Sequence, residues 1–425
     1  MDVKNKNRIG YKKTKVGWIP NTWITQKLKE CCLKIGSGIT PKGGESTYLN
    51  AGVALVRSQN VLNEAFCTDG LRYISNAQHE KMKTSALRPR DILFNITGAS
   101  IGRCCIFPSS VGEANVNQHV CIIRLTTSFC PEFVASVLNS CITRKQLHEN
   151  QAGGGREGLN FQNLGAFRIP LPPLLEQEAI AGVLECWDQA IRNYEKKIEK
   201  KRNIKKGLMQ RLLSGKQRLP GFSGEWKEVR LGDVCEIIMG QSPASSFYNK
   251  TQEGLPLLQG NNDIKNGFSC PHYWTSQITR FCLPGDILMT VRAPVGEIAL
   301  SIHKACIGRG ICAIRGKTAS QRFVFYSLDN SENAWKAFGQ GSTFTAINSK
   351  DVRDFQIAVP SEVKEQEVIA DLLSNANDEI AFFEQKLSLL RDQKRFLLND
   401  LVTGTIRLPQ FRGGMANTSA NGDQA

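Results

Sequence analysis

The sequence lacks most of the signatures that would mark it as a metalloprotein, an exported protein or a self-contained enzyme. No CxxC pair occurs among its 14 cysteines, and its five histidines stand singly. Structural zinc takes four ligands at close paired spacings, so no metal site is expected. No window approaches 18 uncharged apolar residues, which argues against a membrane span. The opening MDVKNKNRIGYKKTK is basic with no apolar core behind it, so it reads as a disordered lead and not an export signal. Without such a signal the thiols are expected to be reduced, in a cytoplasm, as small apolar residues. The phosphate-cradling G-x-x-x-x-G-K-[ST] is missing. So is a [DNS]-P-P-[FYW] base-holding loop: Pro172-Pro173 lies between leucines and opens a helix. Glu362-Val363-Lys364 resembles a nuclease E-x-K, but no Asp precedes it at strand spacing, and it reads as a solvated turn. Ser, His and Cys show no triad context. These absences point to a binding protein without catalytic residues, metal or cofactor.

What is abundant is positive charge. The 54 Lys and Arg exceed the 39 Asp and Glu, for a net charge of +15 and a pI near 9.2. That surplus favours a polyanionic partner, nucleic acid first, with acidic protein surfaces behind it. At 425 residues and 41% apolar content the chain is expected to fold as two or more domains.

A duplication organises those domains. LLSGKQRLPGF at 212–222 returns as LVTGTIRLPQF at 401–411, 189 residues later. At the same offset Glu176-Gln177-Glu178 falls on Glu365-Gln366-Glu367. Apolar residues then recur at heptad spacing from Ile180 to Leu212 and from Ile369 to Leu401, broken by Lys201 and Lys205 in the first copy and by Lys394 in the second. The spacing predicts two long helices with coiled-coil seams, about 48 Å over the first series. Pro172-Pro173 and Pro360 bar earlier starts, and Gly215 and Gly404 supply stops. Two seams of equal length can bury each other, so an antiparallel intramolecular pair is expected, with a coiled coil to another chain as the alternative. Ahead of each helix the copies match more loosely: LRPRDIL at 87–93 with CLPGDIL at 282–288, and VNQHVCIIR at 116–124 with IGRGICAIR at 307–315. Short β-type runs punctuated by Gly, Asn, Pro and Asp read as a mostly β domain before each helix. The expected fold is α+β: two similar mostly β domains, each followed by a long helix, with a pseudo-twofold relation.

On these residues the chain resembles the DNA-specificity (S) subunits of type I restriction–modification systems. The resemblance covers nearly the whole length, carried by YKKTKVGWIPNTW at 11–23, LNFQNLGAFRIPLPPLLEQEAIAGVL at 159–184 and GLMQRLLSGKQRLPGF at 207–222. GLPLLQGNNDI at 254–264, DILMTVRAPVGEI at 286–298 and CIGRGICAI at 306–314 extend it through the second copy. It implies a basic lead (1–16), target recognition domains at 17–174 and 217–361, spacer helices at 175–216 and 362–404, and a tail at 405–425. It also implies partners: double-stranded DNA, methyltransferase (M) subunits, two of them, that modify adenine with S-adenosylmethionine, and restriction (R) subunits that cleave. A scaffold that joins subunits without reading DNA is the rival, but it leaves the charge and the polar loops unexplained.

Base readout takes Arg, Lys, Asn and Gln held on loops over a rigid core. In the first copy the candidates are Arg57, Gln59, Asn60, Asn95, Thr97, Asn117, Gln118 and His119, with Lys42 and Arg156 in Gly-rich stretches as phosphate anchors. In the second they are Gln259, Asn261, Asn262, Arg292 and Arg309. Arg57-Ser58-Gln59-Asn60 set against Gln259-Gly260-Asn261-Asn262 implies two different readers and an asymmetric site. The first helix also carries nine basic residues against two acidic between 192 and 211, a surplus the second helix does not share. Lys196, Lys197 and Lys200 on that face are expected to meet DNA phosphates or an acidic partner subunit.

Overall fold

A computed structural model describes residues 5–152, 158–331, 334–335 and 346–412. The two long helices run over Leu174–Leu212 and Val363–Val402. Each is about 60 Å long at 1.5 Å per residue. Ile180, Leu184, Ile191 and Ile198 are buried along the first, and Ile369, Leu373, Ile380, Phe383 and Leu387 along the second, as the heptads predict. Gly215 and Gly404 end the two helices with the same left-handed φ of +68°. A Cβ there would run into the Trp226 ring in one case and into Pro20 in the other, so both stops need glycine.

The fold divides into two compact units that do not follow chain order. The first joins the residues up to Asn193 to those from Leu387 onward, and the second spans Tyr194–Lys386. Antiparallel helices have this consequence, since the start of one must pack beside the end of the other. In the first unit Asp188 meets Lys394 at 2.6 Å. In the second, Tyr194 packs on Phe383 with ring centroids 6.1 Å apart, and Lys201 bonds Glu379 at 2.7 Å.

Each unit carries the same β scaffold. In the first, strands Cys32–Ser37, Val120–Leu125, Ile92–Asn95 and Cys104–Ile106 lie side by side in that order, all antiparallel. A three-stranded sheet packs with them, in which Val53–Val56 runs parallel to Ala114–Val116 and antiparallel to Arg72–Ile74. In the second unit Cys235–Met239, Ile311–Gly316, Ile287–Thr290 and Ile298–Leu300 repeat the first order, and Leu255–Leu258 runs parallel to Ala305–Ile307. The same ion pair, made to a buried carboxylate, pins both scaffolds. Arg124 grips Asp91 through two nitrogens at 2.8 and 2.6 Å, and Arg315 grips Asp286 at 2.8 and 2.7 Å. A planar guanidinium matches a carboxylate in this two-bond geometry, which fixes the direction of the arginine-bearing strand against the turn before its neighbour.

The repeated R-L-P-x-F closes each unit. Arg407, beyond the second helix, makes two bonds of 2.9 and 2.8 Å to Glu176 at the start of the first. Arg218, beyond the first helix, makes two of 2.8 Å to Glu365 at the start of the second. Both carboxylates are almost wholly buried. The neighbouring Gln177 and Gln366 repeat each other as well, each donating to a proline carbonyl before its helix and accepting a backbone N–H from its β domain. The motif is thus a latch between the end of one helix and the start of the other.

Candidate nucleic-acid interface

The candidate readers gather where three loops leave one end of the first unit's sheets. Asn117 N–H donates to the Val56 carbonyl at 3.0 Å, the Asn95 amide donates to the Ser58 carbonyl at 2.8 Å, and Ile96 N–H donates to the His119 carbonyl at 3.1 Å. These bonds join the loops after Val56, Asn95 and Val116 into one surface. The matching loops of the second unit are joined likewise. Gly308 N–H donates to the Leu258 carbonyl at 2.7 Å, and Val291 N–H to the Gly310 carbonyl at 2.9 Å.

Within the first surface the side chains split into two groups. Asn60 is buried, accepting from Arg57 N–H and donating to the Cys67 and Asp69 carbonyls, so it holds its own loop. Asn95 and Asn117 are buried too, the latter accepting from His119 N–H at 3.0 Å. Gln59, Gln118 and Lys42 are exposed, and Arg57, Thr97 and His119 are half-buried at the rim. Thr97 and His119 bond each other at 2.7 Å with Gln118 beside the same imidazole. Arg57 lies over the Tyr48 ring and bonds the Gly70 carbonyl at 2.9 Å, yet its Nε is buried with no partner among the described residues, as is the Asn95 Oδ1. An unsatisfied buried polar atom costs on the order of 1–3 kcal/mol, so such atoms are rarely left without reason, and a bound ligand is one. Arg156 lies outside the described residues.

The second surface differs in its chemistry. An open groove of about 920 Å³ is lined by Gln259, Asn261 and Asn262 together with Lys250, His272, Tyr273 and Pro294. The Asn261 amide, oriented as its neighbours require, donates to the Glu297 carboxylate. Arg292 and Arg309 are exposed on the adjoining loops, and Arg309 N–H donates to the Ser242 hydroxyl at 3.1 Å. Lys250 sits 5.2 Å from the Tyr273 ring centroid. Sequence reasoning did not single out Lys250, His272, Tyr273 or Tyr48. Their only signal was basic and aromatic residues interleaved near Asn-rich turns.

Hydrogen bonds also correct the pairing of the two loops by one residue. Asn60 N–H donates to the Arg57 carbonyl, and Cys67 N–H donates to Asn60; Asp263 N–H donates to Gly260, and Cys270 N–H donates to Asp263. Asn60 therefore corresponds to Asp263, which accepts from Gln259 N–H at 2.7 Å, and not to Asn262. Direct comparison slips here because two asparagines stand together at 261–262.

The same offset exposes a difference at the hairpin that follows. In the second unit Lys265 pairs with Phe268 across an Asn266-Gly267 turn, with φ +54° and +77°. The first unit has Asn63-Glu64 at that turn, and Glu64 keeps the left-handed φ, +63°. A non-glycine residue held there costs on the order of 1 kcal/mol. Its carboxylate bonds the Lys394 ammonium, which also donates to Asp188 at 2.6 Å. Lys394, which interrupts the heptad in the sequence, is therefore a buried ion and no break in the seam. Burial works against its charge, but Glu64 and Asp188 outweigh it and hold its pKa above the ordinary value.

On the basic face of the first helix Lys196, Lys197 and Lys200 are exposed. Part of the charge serves the helix pair itself: Arg202 bonds Glu384 at 2.5 Å, and the Lys197 ammonium lies 4.0 Å from the Phe383 ring centroid.

A pair of β domains with polar loop surfaces, each built on crossed-over ends of two antiparallel helices, defines a duplicated recognition scaffold. No group of three or more metal-ligating side chains is present among the described residues. The chain belongs to the type I restriction modification DNA specificity domain family, whose model matches residues 20–201 and again 223–391. It is 30% identical to the putative type I restriction enzyme MjaX specificity subunit of Methanocaldococcus jannaschii, over 94% of this chain and 97% of that protein. It is similar over 47% of its length to the EcoKI specificity subunit of Escherichia coli, at 26% identity and 43% of that protein. Among solved structures it resembles a chain from a study of complex assembly and conformational transition of the type I R-M system, with TM-score 0.62, 26% identity, and coverage of 91% and 99%. The HsdS subunit from Thermoanaerobacter tengcongensis aligns with TM-score 0.50, 26% identity, and coverage of 91% and 98%.

Proposed function

We propose that the chain is the DNA-specificity subunit of a type I restriction–modification complex, in which each β domain reads one half of an asymmetric bipartite site. The observation that carries this reading is the repetition of one three-loop surface on two scaffolds with different side chains. Gln59, Gln118, Arg57 and the Thr97–His119 pair face one half, and Asn262, Arg292, Arg309 and the Gln259 groove face the other. Arg pairs with guanine and Asn or Gln with adenine through two bonds each, so unlike sets of side chains select unlike sequences. Asn60, Asn95 and Asn117 shape the first surface from beneath, and Lys42 anchors a phosphate.

In this reading the chain carries no chemistry. Two M subunits docked on it supply adenine methylation from S-adenosylmethionine, and R subunits supply ATP-driven cleavage. The exposed Lys196, Lys197 and Lys200 meet spacer phosphates or an acidic face of an M subunit. Its place of work is the cytoplasm, where host DNA lies, and among the described residues no helix is long and apolar enough to cross a membrane.

The test is to map methylated adenines in host DNA with and without this chain. The expected result is a two-part motif with a non-specific spacer that disappears on deletion. A contiguous motif, or no motif lost, would overturn the reading.

A further inference from the structure

The loop that carries Arg57 and Gln59 is tied down at its base and at its tip, where Glu64 N–H donates to the Cys104 carbonyl at 2.8 Å. At its base Asn60 bonds Arg57 N–H and the Cys67 and Asp69 carbonyls, while Asn95 bonds the Ser58 carbonyl. At its tip, a turn closed by Leu62 N–H to the Ala65 carbonyl, Glu64 bonds Lys394 of the second long helix. Lys394 is 7% exposed and simultaneously bonds Asp188 of the first long helix. One ammonium thus joins the reading loop to both helices of its unit.

The second unit shows what the turn looks like without that task. Gly267 stands where Glu64 does and has no side chain to make the tie. Asn377 stands where Asp188 does, and donates to the Tyr326 hydroxyl at 3.1 Å. The turn itself favours glycine, so a glutamate kept there in the first unit is accounted for by the bond it makes and not by the backbone.

We infer that Glu64, through Lys394 and Asp188, is a positioning residue that sets the first reading loop against the helix pair, so that the first half-site is read with a loop braced by the spacer and the second with a loop that is not. The inference rests on the proposed function, since it concerns how that surface reads DNA. Glu64 touches no base. It acts by holding the segment from Arg57 to Asp69 in one orientation, and its effect appears as discrimination at one half-site only.

The test uses the full chain assembled with its methyltransferase subunits. Methylation rates are compared on duplexes carrying the native site and on duplexes with one base pair changed in either half. Glu64→Gly copies the second unit's residue and removes the tie; relief of the left-handed turn offsets part of the lost ion pair and Asp188 still holds Lys394, so the complex should stay folded with only a small fall in melting temperature. Discrimination at one half should drop about tenfold, with the other half unchanged. Lys394→Met should relax the same half, Lys394→Arg should retain discrimination, and Gln59→Ala should identify that half as the one the first unit reads. Discrimination within about twofold of the unmodified protein in both Glu64→Gly and Lys394→Met would overturn the inference. So would an equal fall at both halves, or relaxation of the half that Gln59→Ala leaves intact. If the unmodified complex methylates no bipartite site, the proposed function fails and the inference with it. If it reads both halves and only the Glu64 and Lys394 variants are silent, the inference alone fails.

Discussion

The two units share a latch, and they complete it differently. In the first, Glu176 accepts two bonds from Arg407 and a third from the indole N–H of Trp23 at 3.1 Å. In the second, Glu365 accepts two from Arg218, while the buried indole N–H of Trp226 has no partner among the described residues and its ring packs on Phe323 with centroids 6.0 Å apart. Arg407 is also the deeper of the two arginines, 16% exposed against 30% for Arg218. Duplication preserved the guanidinium–carboxylate bond, and the tryptophan's hydrogen bond was free to go. The two units are one design held to different tolerances.

The largest expected effects come from cutting the latch. A buried carboxylate stripped of its partner destabilises by about 3–5 kcal/mol. Arg407→Met should lie at the upper end of that range and Arg218→Met at the lower, because water reaches the second site more easily. Both Trp23→Phe and Trp226→Phe lose ring packing, but Trp23→Phe should cost about 1 kcal/mol more, the contribution of its hydrogen bond. Denaturant unfolding of the four variants checks the order, and equal costs for the two tryptophans would break the comparison.

Next come the readers. Gln118→Ala should relax one half-site by about 1–3 kcal/mol per base pair read, and Arg309→Ala the other by a similar amount. Binding titrations on duplexes with single changes in each half separate the two. Relaxation of both halves by either variant would mean that the units do not read independently.

How much of this was legible in the sequence follows from what kind of signal each feature leaves. The helices leave a heptad pattern over thirty residues, and the prolines and glycines at their ends act locally, so their extent could be read directly. The duplication was legible because R-L-P-x-F and E-Q-E recur at one offset, but not what joins them. Arg407 and Glu176 are 231 residues apart, and no local pattern records a bond at that distance. Polar residues at the loop surfaces could be named, but burial decides whether an asparagine faces outward. Asn60 and Asn95 look like readers in the sequence, but both are buried and donate their amides to backbone carbonyls of the loop. Lys394 was legible only as a fault in the heptad, because its partners lie on another helix and another domain.

A smaller contrast concerns pH. Seven thiols of the first unit have their pKa raised by burial, among them Cys32, Cys105 and Cys121, each to about 12 from an ordinary 9.0. In the second unit three are raised, Cys235 and Cys312 to about 12. Above pH 9 the unfolded chain gives up thiol protons that the folded chain retains. Stability is therefore intact below about pH 9 and falls as pH rises toward 12, more steeply in the unit with more such thiols. Amide hydrogen exchange at pH 8 and 10, corrected for its intrinsic rate, should show the first unit losing more protection. Equal losses would mean that the thiols of the first unit are less protected than their burial implies.

The smallest expected effect tests the faces of the two helices. On the first, Lys196 and Lys200 are exposed; at the same offset the second carries Gln385 and Leu389, and Leu389 is 54% exposed, with Phe382 and Phe396 a heptad to either side. One helix offers charge where its copy offers apolar surface, so the two faces cannot serve one partner in the same way. Lys197 is already engaged with Phe383, so the informative variant is Lys196→Glu with Lys200→Glu. If these lysines meet spacer phosphates, DNA affinity of the assembled complex should fall, and the slope of log affinity against log salt should shrink by about 1 for each phosphate no longer neutralised. If they meet an acidic subunit face, assembly should weaken with the slope unchanged. Unaltered assembly, affinity and slope together would leave the basic face as nothing more than a solvated side of the helix, and the charge contrast between the copies would carry no function.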